Sequence, residues 1–177
     1  MRSFLDRLYN AAGALAAAGI VGITLLILAQ ILGRWMGIIV PSVEDFSGFL
    51  LAGSSLLGLA YTLRHGVHIR VNLVSQLLPP AVRRVTETTA LAIATALSMW
   101  MAWYFVHLTL ESYQFGETSY GYIPVQLWIP QLFPALGLVI FSIALLDDLV
   151  VTLRGGKPSY LVAEEADAAE INAEERL

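Results

Sequence analysis

The chain has 177 residues, 57% hydrophobic and 14% charged, with a formal net charge of −4. Soluble domains carry roughly 25% charged residues, so this composition excludes an ordinary soluble domain and points to an all-α integral membrane protein. Cysteine is absent, which excludes disulfides, thiol catalysis and cysteine-ligated metals; with no basic excess, a nucleic-acid partner has no support.

Met1 to Asn10 reads as a short amphipathic lead carrying Arg2 and Arg7. Ala11 to Gly33 is then apolar for 23 residues, enough to cross a hydrocarbon core of roughly 30 Å. A cleaved signal peptide has an apolar core of about 7–15 residues. This run is longer, so a retained first span over 11–33 is expected. Ala11, Ala14, Ala18 and Gly22 recur on one helical face, small enough for a second membrane helix to approach closely.

Arg34, Trp35 and the stretch P-S-V-E-D-F make an outer turn into a second span over 43–63. Ser42 is the expected N-cap, with Glu44 and Asp45 in the first turn, where acidic side chains complement the helix dipole. Gly48, Ala52 and Ser55 form one small face of this span, and Ser54 and Gly58 another. Gly66, after Arg64 and His65, suits the position just beyond its end.

Leu63 to Pro80, L-R-H-G-V-H-I-R-V-N-L-V-S-Q-L-L-P-P, joins the second span to the third. Leu73, Val74, Leu77 and Leu78 share one face, which predicts a short amphipathic interfacial helix. A helix of this kind lies in the headgroup layer with its arginines near anionic lipid, making Arg64, Arg83 and Arg84 lipid-surface candidates. Pro80 suits an early position of the next helix. That third helix is expected from near Ala81 to Tyr113, with its span at about 85–110, too long to cross a bilayer without tilting or projecting. Arg83 and Arg84 sit four and three residues before Glu87, in pairing distance on a helix. Trp100, Trp103, Tyr104 and Phe105 give its outer half an aromatic character.

Ser112 to Leu127 reads as a loop containing Glu117, with Glu111 at its edge. The fourth span follows at 128–151, with Pro130 tolerated in its first turn and Pro134 placed to bend it. Gly155, Gly156 and Pro158 end it among Arg154 and Lys157. Residues 1–162 form one four-helix unit; 163–177 is an acidic, alanine-rich stretch that reads as a solvated tail or a frayed helix. Four spans put both termini on one side. Placing them inside leaves nine of the ten Lys and Arg residues inside and only Arg34 outside, so an N-in, C-in topology is expected.

The chemistry-bearing residues are few. No G-x-S-x-G, phosphate-cradling glycine loop or helical H-E-x-x-H is present. His65 and His68 form H-x-x-H without a third ligand nearby in sequence, which reads as loop polarity or a partner contact before a metal pair. His107 lies in the third span, either as a histidine packed near the interface or as a proton relay or haem ligand. The second reading would make the chain a membrane anchor of a respiratory enzyme holding haem or quinone, but paired histidines at membrane depth are missing. Arg34 with Glu44 or Asp45 reads as an ion pair across the outer turn or as a contact for a partner subunit. Asp147 and Asp148 oppose the dipole of the fourth helix and need a basic neighbour such as Arg154, a basic group on a partner, or solvent. The middles of the spans carry no ionisable site of the kind a self-sufficient transporter needs.

These features together resemble a known family. Arg34–Trp35 after the first span, Glu44–Asp45 opening the second, G-V-H-I-R-V-N from Gly66 to Asn72 and P-V-Q-L-W from Pro124 to Trp128 stand in the order and spacing of the small membrane subunit, of DctQ type, of tripartite ATP-independent periplasmic (TRAP) transporters. The resemblance covers about residues 1–155. The family often has two glutamates at the acidic pair and an aspartate at the last loop position, so Asp45 and Asn72 depart from it. The resemblance implies a non-enzymatic subunit of a bacterial inner-membrane complex, paired with a large membrane subunit that takes up an organic acid with sodium. A periplasmic binding protein would deliver the substrate. No cofactor is expected on this chain, since sodium would be held by the large subunit. Arg34, Glu44, Asp45, His68 and Arg70 become the candidates for partner contact or structural support.

Overall fold

The computed structural model describes residues 2–65 and 79–156, together with 158, 159 and 162. The interfacial helix expected between the second and third spans, His68, Arg70 and the acidic stretch 163–177 lie outside the described residues.

Four helices carry the fold: α1 (Arg2–Trp35), α2 (Val43–Arg64), α3 (Pro80–Phe115) and α4 (Trp128–Leu153). All four are long and apolar enough to cross a membrane. The expected boundaries agree for α2 and α4. The lead before the first span is not separate: α1 is continuous for 34 residues, about 51 Å at 1.5 Å per residue. Nothing between Ser3 and Ala11 breaks a helix, and Asp6, Arg7 and Asn10 are tolerated once a long apolar run has nucleated it. At 36 residues, α3 likewise exceeds a bilayer.

α1 ends in a turn that its sequence encodes. Gly37 has φ +72°; its amide donates to the Arg34 carbonyl at 3.3 Å, and the Ile38 amide donates to Gly33 at 2.8 Å. This pair of bonds closes a helix on a left-handed residue, the conformation glycine adopts without a Cβ clash. The ends of α3 and α4 repeat the motif at Gly116 and Gly155.

The helices pack in a row rather than a closed bundle. α1 packs on α2, α2 on α4 and α4 on α3, while α1 meets α4 only thinly. Consecutive helices run antiparallel, so α2 and α4 are parallel neighbours. Their closest approach is at Gly137: a Cβ there would lie 2.6 Å from the Leu56 carbonyl carbon and the Leu57 amide nitrogen. Backbone therefore meets backbone at that point, and only glycine fits.

The α1–α2 seam uses small residues, and from the stripe the sequence suggested it takes Gly22, which lies against Leu50. Ala12 and Ala16 are buried and Gly13 lies against Tyr61, whereas Ala11, Ala14 and Ala18 are exposed. On α2, Ser54 and Gly58 face α1, while Gly48, Ala52 and Ser55 are exposed. The face of α3 toward α4 is lined by buried Leu91, Thr95, Ser98 and Ala102. Its hydroxyls are satisfied within the helix: Thr95 Oγ1 donates to the Leu91 carbonyl at 2.7 Å and Ser98 Oγ to the Thr95 carbonyl at 3.0 Å. They can pack in an apolar layer without losing a hydrogen bond. Tyr9, Ala60, Leu63, Leu91, Ala144 and Leu145 form one buried cluster that draws on all four helices.

Candidate functional site

Charge sits at the two ends of the row. Within the sequence, no Asp, Glu, Lys, Arg or His occurs between Arg7 and Arg34, between Asp45 and Arg64, between Glu87 and His107, or between Glu117 and Asp147. The ends are therefore where functional side chains gather.

At the end carrying the start of α1, Arg64 is the hub. It stands in the last turn of α2, and its guanidinium lies 2.9 Å from Asp6 on α1 and 3.8 Å from Asp147 on α4. It also sits 6.0 Å from the centroid of the Tyr9 ring. One arginine thus ties three helices, with its stem and head drawn inward and away from the lipid-facing role expected of it. Tyr9 is only 1% exposed, and its hydroxyl has no hydrogen-bond partner among the described residues.

The two aspartates late in α4 are relieved differently from the arrangement with Arg154 that their sequence position suggests. Asp147 faces Arg64. Asp148 is 2% exposed and accepts two hydrogen bonds from Ser159, from the amide at 2.9 Å and from the hydroxyl at 2.7 Å. The chain after α4 therefore folds back, and Asp148 anchors it. Arg83 donates to Glu87 at 2.9 Å, as the four-residue spacing predicts, whereas Arg84 makes no ion pair among the described residues.

At the opposite end, the link between the two outer segments lies elsewhere than in the Arg34 turn. No ion pair joins Arg34 to Glu44 or Asp45. Arg34 and Glu44 are exposed, and Arg34 lines a small cleft with Gln30 and Ile38. The six-residue turn that follows Met36 brings the start of α2 up to the 117–127 segment instead. Asp45 packs against Gly121, where any side chain would collide with its carboxylate. Ser42 precedes α2 but does not cap it with its side chain; its Oγ accepts from the Ile123 amide at 2.9 Å. Its backbone has φ 56°, a left-handed conformation that costs a serine free energy and that the cross-loop bond offsets.

The 117–127 segment is itself ordered. Ser119 and Val125 exchange hydrogen bonds at 2.8 Å, backbone amide to carbonyl, and 3.0 Å, the Val125 amide to Ser119 Oγ. The Leu127 amide donates to Glu117 at 2.9 Å. Ser112, fully buried at the end of α3, donates to the Glu117 carboxylate at 2.7 Å.

The remaining candidates have local partners. His65 Nδ1 lies 2.9 Å from the Tyr61 carbonyl, which makes it the donor, and its ring stacks on Tyr61. His107 is exposed, with its ring 4.6 Å from that of Trp103. Among the described residues, no group of three His, Asp or Glu side chains is placed to hold a metal ion. A groove of about 380 Å³ lies between α1, α2 and α4, lined by Leu15, Ala18, Phe46, Phe49, Ile129 and Phe133 among others, with no charged residue. Among the described residues, the geometry fastens helices together.

Reading the sequence alone missed Asp6, Tyr9 and Ser159. Asp6 and Tyr9 are three residues apart and share a helix face; an acid in an otherwise basic, apolar lead was the available signal.

Comparison with curated proteins found no match. The family model of the tripartite ATP-independent periplasmic transporters, DctQ component, matches residues 23–155, a stretch that includes the outer turn, α2 with Arg64, and α4 with both aspartates. The chain therefore belongs to the DctQ component family of TRAP transporters.

Proposed function

We propose that this chain is the small subunit that pairs with, and braces, the large transport subunit of a TRAP system in a bacterial inner membrane. In this reading both termini are cytoplasmic, the large subunit takes up an organic acid with sodium, and a periplasmic binding protein delivers it. The family is one of transporter components and not of enzymes.

The observation that carries the bracing role is the distribution of charge. Charged side chains stand toward the helix ends, where Asp6, Arg64, Asp147 and Asp148 fasten helices or chain to one another, and the middles of the spans are apolar. A substrate or ion site at mid-membrane depth needs polar or ionisable ligands there, so transport chemistry belongs to another chain. The exposed small residues Ala11, Ala14 and Ala18 on α1 and Gly48, Ala52 and Ser55 on α2 are suited to close packing by that chain's helices. The nine-to-one division of basic residues supports the proposed topology.

The test is co-purification of this chain from its native membrane in mild detergent, with mass spectrometry of what accompanies it. A multi-span membrane protein at near-equal stoichiometry is expected; recovery of this chain alone would overturn the reading. Sodium-driven uptake by the purified pair, lost when either chain is omitted, tests the transport role.

A further inference from the structure

The arginines at the end of α2, the start of α3 and the end of α4 divide into two kinds. Arg64 and Arg83 are engaged by carboxylates on neighbouring helices or turns. Arg84 and Arg154 are exposed, and among the described residues neither guanidinium makes an ion pair or a hydrogen bond.

The Arg84 guanidinium is brought to the end of α4, beside the residue that follows Arg154. A guanidinium nitrogen of Arg84 lies 3.6 Å from where a Cβ of Gly155 would stand, and Gly155 adjoins Arg154. No acid is present in the first turn of α3 to neutralise them. The two aspartates of α4 are occupied, Asp147 by Arg64 and Asp148 by Ser159. The carbonyls at the end of α4 are closed by the amides of Arg154, Gly155 and Gly156, so they do not take up the guanidiniums either.

This meeting point also stands at a defined depth. It lies where the candidate spans Val82–Phe115 and Trp128–Leu153 begin and end, which is the level of lipid headgroups. A guanidinium offers a planar fork of donors that matches phosphate oxygens, and two forks on adjacent helices can share one phosphate.

We propose that Arg84 and Arg154 form a binding site for the phosphate of an anionic phospholipid, seated between the start of α3 and the end of α4. The site binds a lipid headgroup rather than a soluble phosphate, because exposed Val82 and Val85 of α3 and Val150 and Leu153 of α4 flank it and receive the acyl chains. It stands apart from the Arg64 clamp, and it does not depend on the transport role.

The test is native mass spectrometry of the purified, delipidated full chain titrated with phosphatidylglycerol or phosphatidylcholine, for the wild type and for R84Q/R154Q, R84K/R154K and R7Q. The wild type is expected to retain phosphatidylglycerol in preference to phosphatidylcholine. Each arginine near an anionic surface is worth about fivefold in binding, so R84Q/R154Q should weaken retention about twenty-five-fold. R84K/R154K should keep most of it, and R7Q, which removes an exposed arginine on α1, should leave it unchanged. Equal retention of phosphatidylglycerol by the double glutamine variant, or equal retention of the two lipids by the wild type, would overturn the proposal. Displacement of phosphatidylglycerol by an equal concentration of glycerol phosphate would show a soluble-phosphate site and overturn it as well. Should the double variant fail to purify, R154Q alone, past the end of its helix, must show the single-arginine loss; unchanged binding in it overturns the proposal.

Discussion

The guanidinium of Arg64 and the carboxylate of Asp6 lie 2.9 Å apart across 58 residues of chain. They join the last turn of α2 to the second turn of α1, and Arg64 reaches Asp147 on α4 from the other side. Their contributions are unequal. Asp6 is close to half exposed, so Asp6→Asn should cost at most about 1 kcal/mol. Arg64→Ala removes the shared cation and the cover over Tyr9 together, and should cost about 2 kcal/mol. Unfolding of both variants in detergent checks this; equal effects would mean that Arg64 serves Asp6 alone.

Tyr9 offers a test with the opposite sign. Its ring is in the core and its hydroxyl is unpartnered among the described residues. Tyr9→Phe keeps the ring and removes a buried polar group, so it should be neutral or stabilise by up to about 1 kcal/mol. Destabilisation measured in the same unfolding assay would show that the hydroxyl contributes to the folded state.

Asp148 holds the chain that follows α4. Ser159→Ala removes one of its two hydrogen bonds and Asp148→Ala removes both. Bonds to a charged group are worth about 1.5–3 kcal/mol each, so proteolysis beyond Leu153 should quicken by roughly tenfold or more in Ser159→Ala and further in Asp148→Ala. Limited digestion followed by mass spectrometry reads the rate, and equal rates in wild type and variants would dismiss the anchor.

The outer junction rests on Ser42 and Gly121. Ser42→Ala removes the acceptor for the Ile123 amide, and loss of about 1 kcal/mol should raise exchange of that amide roughly fivefold. Gly121→Leu should displace the loop from Asp45. Hydrogen exchange resolved to residues 117–127 checks both, and protection unchanged at Ile123 would count against the junction.

Gly137 is the tightest point between α2 and α4. Gly137→Ala forces the backbones apart and should destabilise by about 1–3 kcal/mol, while the same change at exposed Gly48, where a Cβ meets nothing, should have little effect. Comparable unfolding of the two variants would place the seam elsewhere.

Four long apolar helices were legible because apolar length is a one-dimensional signal, and two of them start where expected: Val43 and Trp128 mark helix starts in the sequence and in the structure. Which face of α1 packs was not. Ala11–Ala14–Ala18 and Ala12–Ala16–Gly19 have nearly the same spacing, and the choice depends on Tyr9, one turn below Ala12, which enters the core. Arg83–Glu87 was readable as a four-residue pair. The bonds of Arg64 with Asp6 and of Ser42 with Ile123 span 58 and 81 residues, and no local pattern carries such a distance. The short Arg34 turn made an ion pair plausible, but α2 begins facing a loop from the other half of the chain.

The row has an order of assembly built into it. Because α3 packs on α4 and hardly on α2, the first two helices complete one hairpin as they leave the ribosome and the last two complete another. The halves meet mainly along one seam, α2 against α4, closed at Gly137 and bolted by Arg64 and Asp147. Two pieces expressed separately, divided between residues 65 and 79, keep the contacts described within each hairpin and the complementary surfaces of that seam, so they are expected to reassemble.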